Sequence, residues 1–330
     1  MMRIEHAPVP GWRQIRHGWR ALLARRRLTV VMLAVLGVLL AVSGTAGVVR
    51  YGVTFWLYRG FPAPTVPHGV ASPRVETITV VSPALDGYRD TVDVVLPPGY
   101  ASDPARRYPV VYLLHGFTGR PSDFLGIGDL AGIYASLLAA GKIQPMILVM
   151  PTGTRSFFAD EEWANGVRDG NQWETFVARD LVNAIDARYR TIRSAGSRGL
   201  AGYSEGGYGA LNIGIHHPAE FGLLESWSGY TYADNIPALF GRDQALLRYN
   251  SPSDQVVSAA PQLRTTGTYI WFYCGRADEY AGQDRDFAAE LTPLGIAHDF
   301  FWEPGSHTWR LWRDMMPQAL ITASEHLRHG

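Results

Sequence analysis

The sequence predicts an α/β protein: a mostly parallel central sheet with helices on both faces, preceded by one apolar helix. Three observations predict it. From residue 74 onward, short β-branched or apolar runs alternate with segments of helical period, as in a parallel sheet wrapped by helices. Several of those runs are apolar without interruption, which suits strands buried on both faces. Ahead of them, Leu28 to Val49 carries no charged residue.

At ~1.5 Å per residue that apolar stretch spans about 30 Å, the thickness of a bilayer core. Arg25, Arg26 and Arg27 precede it directly, and such an asymmetry keeps the N-terminus in the cytoplasm. Tyr51, Phe55, Trp56 and Tyr58 follow where an interfacial aromatic belt would lie. The expected organisation is a basic cytoplasmic segment at 1–27, a transmembrane anchor at 28–50, a linker at 51–73 and a folded domain at 74–330. A second reading stays open, a cleaved signal peptide with Ala46 before the cut, although the run exceeds the roughly 7–15 residues of a signal core. Both readings put the domain outside the membrane. Residues 60–73 (GFPAPTVPHGVASP) have the Pro and Gly content of a linker.

Within the domain, Val75–Val81 and Thr91–Leu96 read as strands, the second stopped by Pro97, Pro98 and Gly99. Val110–Leu114 is a strand ending in His115-Gly116, and Leu130–Ala140 a helix. Met146–Met150 is a strand closed by Pro151. Trp173–Tyr189 places Phe176, Val177, Leu181 and Ile185 at helical spacing. Gly199–Tyr203 is a strand and Gly206–His216 a helix. Leu223–Trp227 and Tyr269–Tyr273 are strands, Gln283–Leu294 a helix, Ala297–Trp302 the last strand and Thr308–Leu327 the last helix. Gly229 to Gly267 lacks clear periodicity, and a connection of that length is usually functional. It is expected to form a lid-like insertion, or one wall of a cleft.

Seven Arg and one acid (Glu5) lie before residue 28, a net of +6, so the remainder of this formally neutral chain carries −6. A mildly acidic body lacks the basic patch of a nucleic-acid binder. The single cysteine, Cys274, allows no internal disulfide and no multi-cysteine zinc site.

Gly202-Tyr203-Ser204-Glu205-Gly206 is a G-x-S-x-G sequence between a predicted strand and a predicted helix. In that setting it is the nucleophile elbow of the α/β-hydrolase fold, a strained turn that lifts the serine hydroxyl above the sheet edge. A serine attacks only when a base takes its proton, and the chain order in this fold is Ser, acid, His. His307, in the loop after the last strand, is placed for the base. The acid belongs after the preceding strand, where Asp278 is the first candidate and Glu279 the fallback. The backbone N–H groups of Glu205 and Phe117 are the candidate oxyanion donors, each worth ~3 kcal/mol of barrier. No metal or cofactor is expected.

These pieces resemble the esterase D family, which includes S-formylglutathione hydrolases, feruloyl esterases and the antigen 85 mycolyltransferases. The resemblance covers roughly 75–328 through LPPGY (96–100), YPVVYLLHG (108–116), WETFVARDL (173–181), GLAGYSEGGYGAL (199–211) and GSHTWRLW (305–312). It implies attack on an ester or thioester carbonyl and supports Ser204, Asp278 and His307 by motif position. The WETF and HTW segments look like the mycolyltransferase branch, which makes Trp173 and Trp309 substrate-binding candidates; in that branch the tryptophan after the histidine lines the acyl-acceptor site. Three positions depart from it. His115-Gly116 replaces an Asp-Gly pair, the acid is an Asp rather than a Glu, and Glu205 stands where the family usually has Met. The first two favour the plain esterases.

Three functions are therefore in play: an extracytoplasmic carboxylesterase acting on small-molecule or lipid esters near the membrane, an acyltransferase using a sugar or lipid alcohol, and a non-catalytic binding protein. No obligate protein partner is implied.

Overall fold

The computed structural model describes the backbone of residues 12–330 apart from 157, 158 and 235, and side chains from residue 26 onward apart also from 50 and 53. Residues 1–11 of the expected basic segment at 1–27 therefore lie outside the described residues, and 12–25 are described by backbone alone. The chain divides between Phe61 and Pro62 into two compact units.

The first unit contains α1, Trp12–Tyr58. Its Arg26–Tyr58 stretch is long and apolar enough to cross a membrane by length and composition, with mean hydropathy 2.4 and none of that apolar window buried. The helix runs through the first part of the expected 51–73 linker, because no proline interrupts residues 51–58. Irregular chain begins only after Tyr58.

The second unit is built on one eight-stranded sheet: β1 (Arg74–Ser82), β2 (Tyr88–Leu96), β3 (Val110–Leu114), β4 (Ile147–Pro151), β5 (Arg198–Tyr203), β6 (Leu223–Trp227), β7 (Tyr269–Gly275) and β8 (His298–Glu303). Their spatial order is β1-β2-β4-β3-β5-β6-β7-β8. The β1–β2 and β2–β4 pairs are antiparallel and the rest parallel, so the sheet is mixed at one edge only.

Strand alternation sorts the core into two layers. Val110, Tyr112 and Leu114 of β3 point to one face, with Phe176, Leu181, Ile213 and Leu263 packed beneath them in the same cluster. Val111 and Leu113 point to the other, which holds Leu130, Tyr134, Met316 and Leu320. The first face is covered by α4 (Trp173–Thr175), α5 (Val182–Arg188), α6 (Glu205–His216), α9 (Pro252–Thr266) and α10 (Ala281–Leu291), the second by α3 (Leu130–Ala139) and α11 (Trp309–His326). A short α2 (Pro121–Gly126) precedes α3. The helix expected over Trp173–Tyr189 is interrupted: a π-helical turn at Phe176–Leu181 joins α4 to α5.

The segment expected to lack regular structure, Gly229–Gly267, is instead largely helical. It contains α7 (Pro237–Phe240), α8 (Gln244–Tyr249) and α9. It packs on α6 through a third small core of Ala164, Tyr208, Tyr230, Ala233, Leu239 and Phe240. The Tyr208 hydroxyl donates to the Asn250 carbonyl at 2.7 Å, and Asn212 donates to the Asn250 side chain at 3.1 Å.

Candidate active site

Ser204 follows β5 and caps α6 with φ 56° and ψ −125°, a backbone conformation that side-chain-bearing residues seldom adopt. The flanking glycines make that turn feasible. A Cβ at Gly202 would collide with the Gly206 carbonyl, and one at Gly206 with the Leu114 carbonyl. The Ser204 N–H donates to the Trp227 carbonyl at 3.0 Å, and its own carbonyl accepts from Gly207 and Tyr208 at 2.9 and 3.1 Å. The turn is thereby held by both the neighbouring strand and the first turn of the helix.

Three side chains distant in sequence meet above this turn. Ser204 Oγ lies 2.7 Å from His307 Nε2, and His307 Nδ1 lies 3.0 Å from Asp278 Oδ2. Asp278 Oδ1 accepts the Tyr280 N–H at 3.1 Å. The Asp278 side chain has no solvent exposure, whereas that of His307 is 24% exposed. Burial opposes charge on Asp278, but the hydrogen bond and charge of His307 and the Tyr280 amide outweigh it and hold the carboxyl below its ordinary range. Of the two acids considered from sequence, Asp278 meets the imidazole; Glu279 is exposed. Tyr280 and Trp312 pack edge-on against the imidazole, with ring centroids at 5.5 and 5.1 Å.

Glu205 opens α6, so its amide is among those with no intrahelical acceptor. The loop after β3 lies against the nucleophile: a Cβ at Gly116 would be 2.7 Å from Ser204 Cβ. Phe117 is the next residue, with its side chain 52% exposed. His115 braces this loop from below. Its Nε2 lies 2.5 Å from the Thr152 carbonyl and its Nδ1 3.0 Å from the Gly116 carbonyl, and its own carbonyl accepts from Trp163 Nε1 at 2.9 Å. Burial pushes the His115 pKa down, against the Thr152 and Gly116 carbonyls, which favour its charged form.

The Glu205 side chain is turned inward and 7% exposed. Its carboxyl accepts the Glu162 N–H. Glu162 in turn accepts the Tyr230 hydroxyl at 2.8 Å on both oxygens. Burial first, then the surrounding acids, raise both carboxyls well above the ordinary range. Sequence reasoning missed Glu162, Tyr230, Tyr280 and Trp312; the acidic run Asp160-Glu161-Glu162 was the one local signal.

The two tryptophan candidates separate. Trp309, the first residue of α11, is half-buried, 4.7 Å from the Tyr203 ring. Trp173 has no exposed surface and packs between Tyr88 and Phe176 at 5.9 and 5.6 Å. It is a core residue, not part of a cleft wall, because the sheet face that carries it is covered by helices. Among the described residues no cluster of three His, Cys, Asp or Glu side chains is arranged to hold a metal.

A family model described as "Putative esterase" matches residues 82–323. Esterase Rv1288 of Mycobacterium tuberculosis is 30% identical over 308 residues, covering 82% of this chain and 65% of that protein, so the chain spans just under two thirds of that relative. The MPT51/MPB51 antigen of the same species is 29% identical over 235 residues, covering 61% of this chain and 74% of the antigen. Among solved structures, a ferulic acid esterase superposes with TM-score 0.68 at 25% identity, over 78% of this chain and 99% of its own. The elbow, the histidine and the acid all fall within the matched span, and the chain belongs to the esterase family.

Proposed function

We propose that this chain is a serine esterase that cleaves carboxylic esters through an acyl-enzyme, held at the outer face of a membrane by α1. The observation that carries the reading is the 2.7 Å contact of Ser204 Oγ with His307 Nε2, backed by Asp278.

Neutral His307 accepts the Ser204 proton at Nε2 as Oγ attacks the ester carbonyl. Asp278 fixes the tautomer by accepting from Nδ1 and stabilises the imidazolium that forms. The N–H groups of Glu205 and Phe117 receive the developing oxyanion. The imidazolium then gives its proton to the departing alcohol. Water, deprotonated by the same imidazole, attacks the acyl-enzyme and releases the acid, restoring Ser204. Glu205 contributes through its amide; its buried carboxyl holds the Glu162 loop.

The outer-face location rests on the span Arg26–Tyr58 and on the triple arginine before Leu28. Lipid or cell-envelope esters within reach of such an anchor are the proposed substrates. The solved relative named a ferulic acid esterase makes aromatic acyl esters a second class to assay. The half-buried Trp309, packed on Tyr203 next to the nucleophile, also supports a transferase reading, in which an alcohol replaces water. Product analysis with an added sugar alcohol acceptor separates the two: a transferred acyl ester marks the transferase, free acid alone the esterase.

The direct test is hydrolysis of p-nitrophenyl esters by the wild type and Ser204→Ala. The variant is expected to lose ~10³-fold or more in kcat. Equal rates for the two proteins would sink the reading.

A further inference from the structure

Two adjacent residues beside the site have an unusual backbone. Glu162 and Trp163 both have φ 50°. Left-handed backbone is uncommon for a residue with a Cβ and persists only where the surroundings over-determine it. Each of the two residues is 1% exposed. The Tyr230 hydroxyl holds Glu162, donating to both carboxyl oxygens at 2.8 Å, and the Tyr230 ring stacks on Tyr208 of α6 at 4.7 Å. Trp163 is held by packing and by one hydrogen bond. Its ring fills space left by two glycines: a Cβ at Gly153 would fall within the indole, and one at Gly209, a turn past Glu205 on α6, would be 2.7 Å from Trp163 Cβ. Its Nε1–H donates to the His115 carbonyl at 2.9 Å, and the two rings meet edge-on at 5.1 Å.

That carbonyl belongs to the peptide unit directly before the one that carries the Phe117 N–H. In the latter, the Gly116 carbonyl accepts from the Gly119 N–H at 2.6 Å and lies 3.0 Å from His115 Nδ1. The C=O and N–H of one trans peptide unit point in opposite directions. The bonds that hold the Gly116 carbonyl therefore also set the direction of the Phe117 N–H, and the indole fixes the unit on which it turns. The segment has little slack, since a Cβ at Gly116 would be 2.7 Å from Ser204 Cβ. On its other side the indole packs against α6, whose first amide is that of Glu205. One rigid side chain thus touches both segments that supply the proposed oxyanion donors.

We propose that Trp163 is a positioning residue of the reaction: its indole N–H, bound to the His115 carbonyl, and its ring, set against α6, hold the Phe117 and Glu205 amides at the spacing that receives the oxyanion. This rests on the serine-esterase reading of the preceding section. Trp163 touches no substrate in this role; it acts through His115 and Gly209. Without the N–H, Ser204, His307 and Asp278 keep their places and only the oxyanion site loosens. The loss falls on the transition state, so it appears in kcat rather than in KM.

The test uses two replacements of the full chain. Trp163→Phe keeps a buried ring and removes the N–H, and β-(3-benzothienyl)alanine at position 163 exchanges only the N–H for sulfur. The readouts are kcat and KM for a p-nitrophenyl ester, and Ki for a trifluoromethyl ketone, whose adduct with Ser204 carries an oxyanion. Both replacements are expected to lower kcat ~10- to 100-fold with KM within about 3-fold of wild type. The ketone's Ki is expected to rise by the factor that kcat/KM falls, and the pH profile, governed by His307, to stay in place. Trp173→Phe, at a buried tryptophan packed on Tyr88 and Phe176, is the control for lost packing and is expected to lower Tm with Ki unchanged. If Trp163→Phe does not fold, the isosteric residue decides alone. A benzothienyl enzyme with wild-type kcat and Ki overturns the proposal. So does a kcat that falls with Ki unmoved, or a Trp173→Phe that raises Ki as much. A wild type that neither binds the ketone nor labels with a fluorophosphonate removes the serine-esterase reading itself, and this inference with it.

Discussion

His307 Nδ1 lies 3.0 Å from Asp278 Oδ2, while the next residue in the chain, Glu279, is exposed. One residue of displacement separates an acid that can hold the imidazole from one that cannot. In the proposed mechanism Asp278→Asn leaves the geometry intact but favours the wrong tautomer, so kcat is expected to drop ~10³- to 10⁴-fold. Glu279→Gln is expected to leave kcat and KM near wild type. Steady-state kinetics on a p-nitrophenyl ester check both, and a larger loss in the Glu279 variant would reverse the assignment.

The elbow makes a second prediction. Gly206 has no room for a Cβ against the Leu114 carbonyl, and the obstacle is backbone of a buried strand rather than a flexible side chain. Gly206→Ala must therefore shift β3 or α6. The expected cost is about 2 kcal/mol or more in stability, with near-complete loss of activity because Glu205 N–H moves too. Thermal unfolding and fluorophosphonate labelling read the two effects separately.

Glu174 gives a pH-dependent one. It is 2% exposed and accepts from His217 Nε2 at 2.8 Å and from His216 Nδ1 at 3.2 Å. Burial works against its charge, but the two histidines outweigh it and bring the carboxyl down to about 2 from an ordinary 4.5. A lowered carboxylate pKa stabilises the fold above the unfolded value, and that stability drains away as pH falls from about 4.5 toward about 2. Glu174→Gln is expected to lose on the order of 2 kcal/mol at neutral pH. The gap to wild type should close toward the acid end. A variant equally destabilised at every pH would show that packing, not charge, is lost.

The two tryptophans offer a clean contrast. Trp173→Ala empties a fully buried site and is expected to cost about 3–5 kcal/mol in stability. Trp309→Ala, at a half-buried position against Tyr203, is expected to change KM more than Tm. Denaturant unfolding alongside kinetics decides; a Trp173 variant that keeps its stability but loses substrate affinity would restore it as a cleft residue.

Much of this was legible in the chain because the relevant signals are local. A β5-type run, a G-x-S-x-G turn and a small-residue helix are neighbours in sequence, so the elbow can be read without knowing the sheet. The unread parts depend on distant partners. Glu162, Tyr230 and Glu205 come together only when the excursion after β6 folds back onto α6. Helix α9 was missed although Pro252, Val256, Ala260 and Leu263 mark its buried face, since Pro261 and a polar remainder mask the period. Helices α7 and α8, of four and six residues, are too short to show one. Trp173 misled for the opposite reason: a motif shared with relatives marks a site only if its side chain reaches the surface.

The excursion between β6 and β7 has a further consequence. The three reactive side chains are delivered by turns after β5, β7 and β8; β5, β6 and nearly all of β7 are buried on both faces, while β8 is a partly exposed edge strand. Helices α7 and α8 pack through the separate small core that holds Leu239 and Phe240, whereas α9 places Val256, Ala260 and Leu263 in the main core against the sheet. In the proposed esterase the reacting groups thus sit on the sheet, and α7 and α8 on a smaller core of their own.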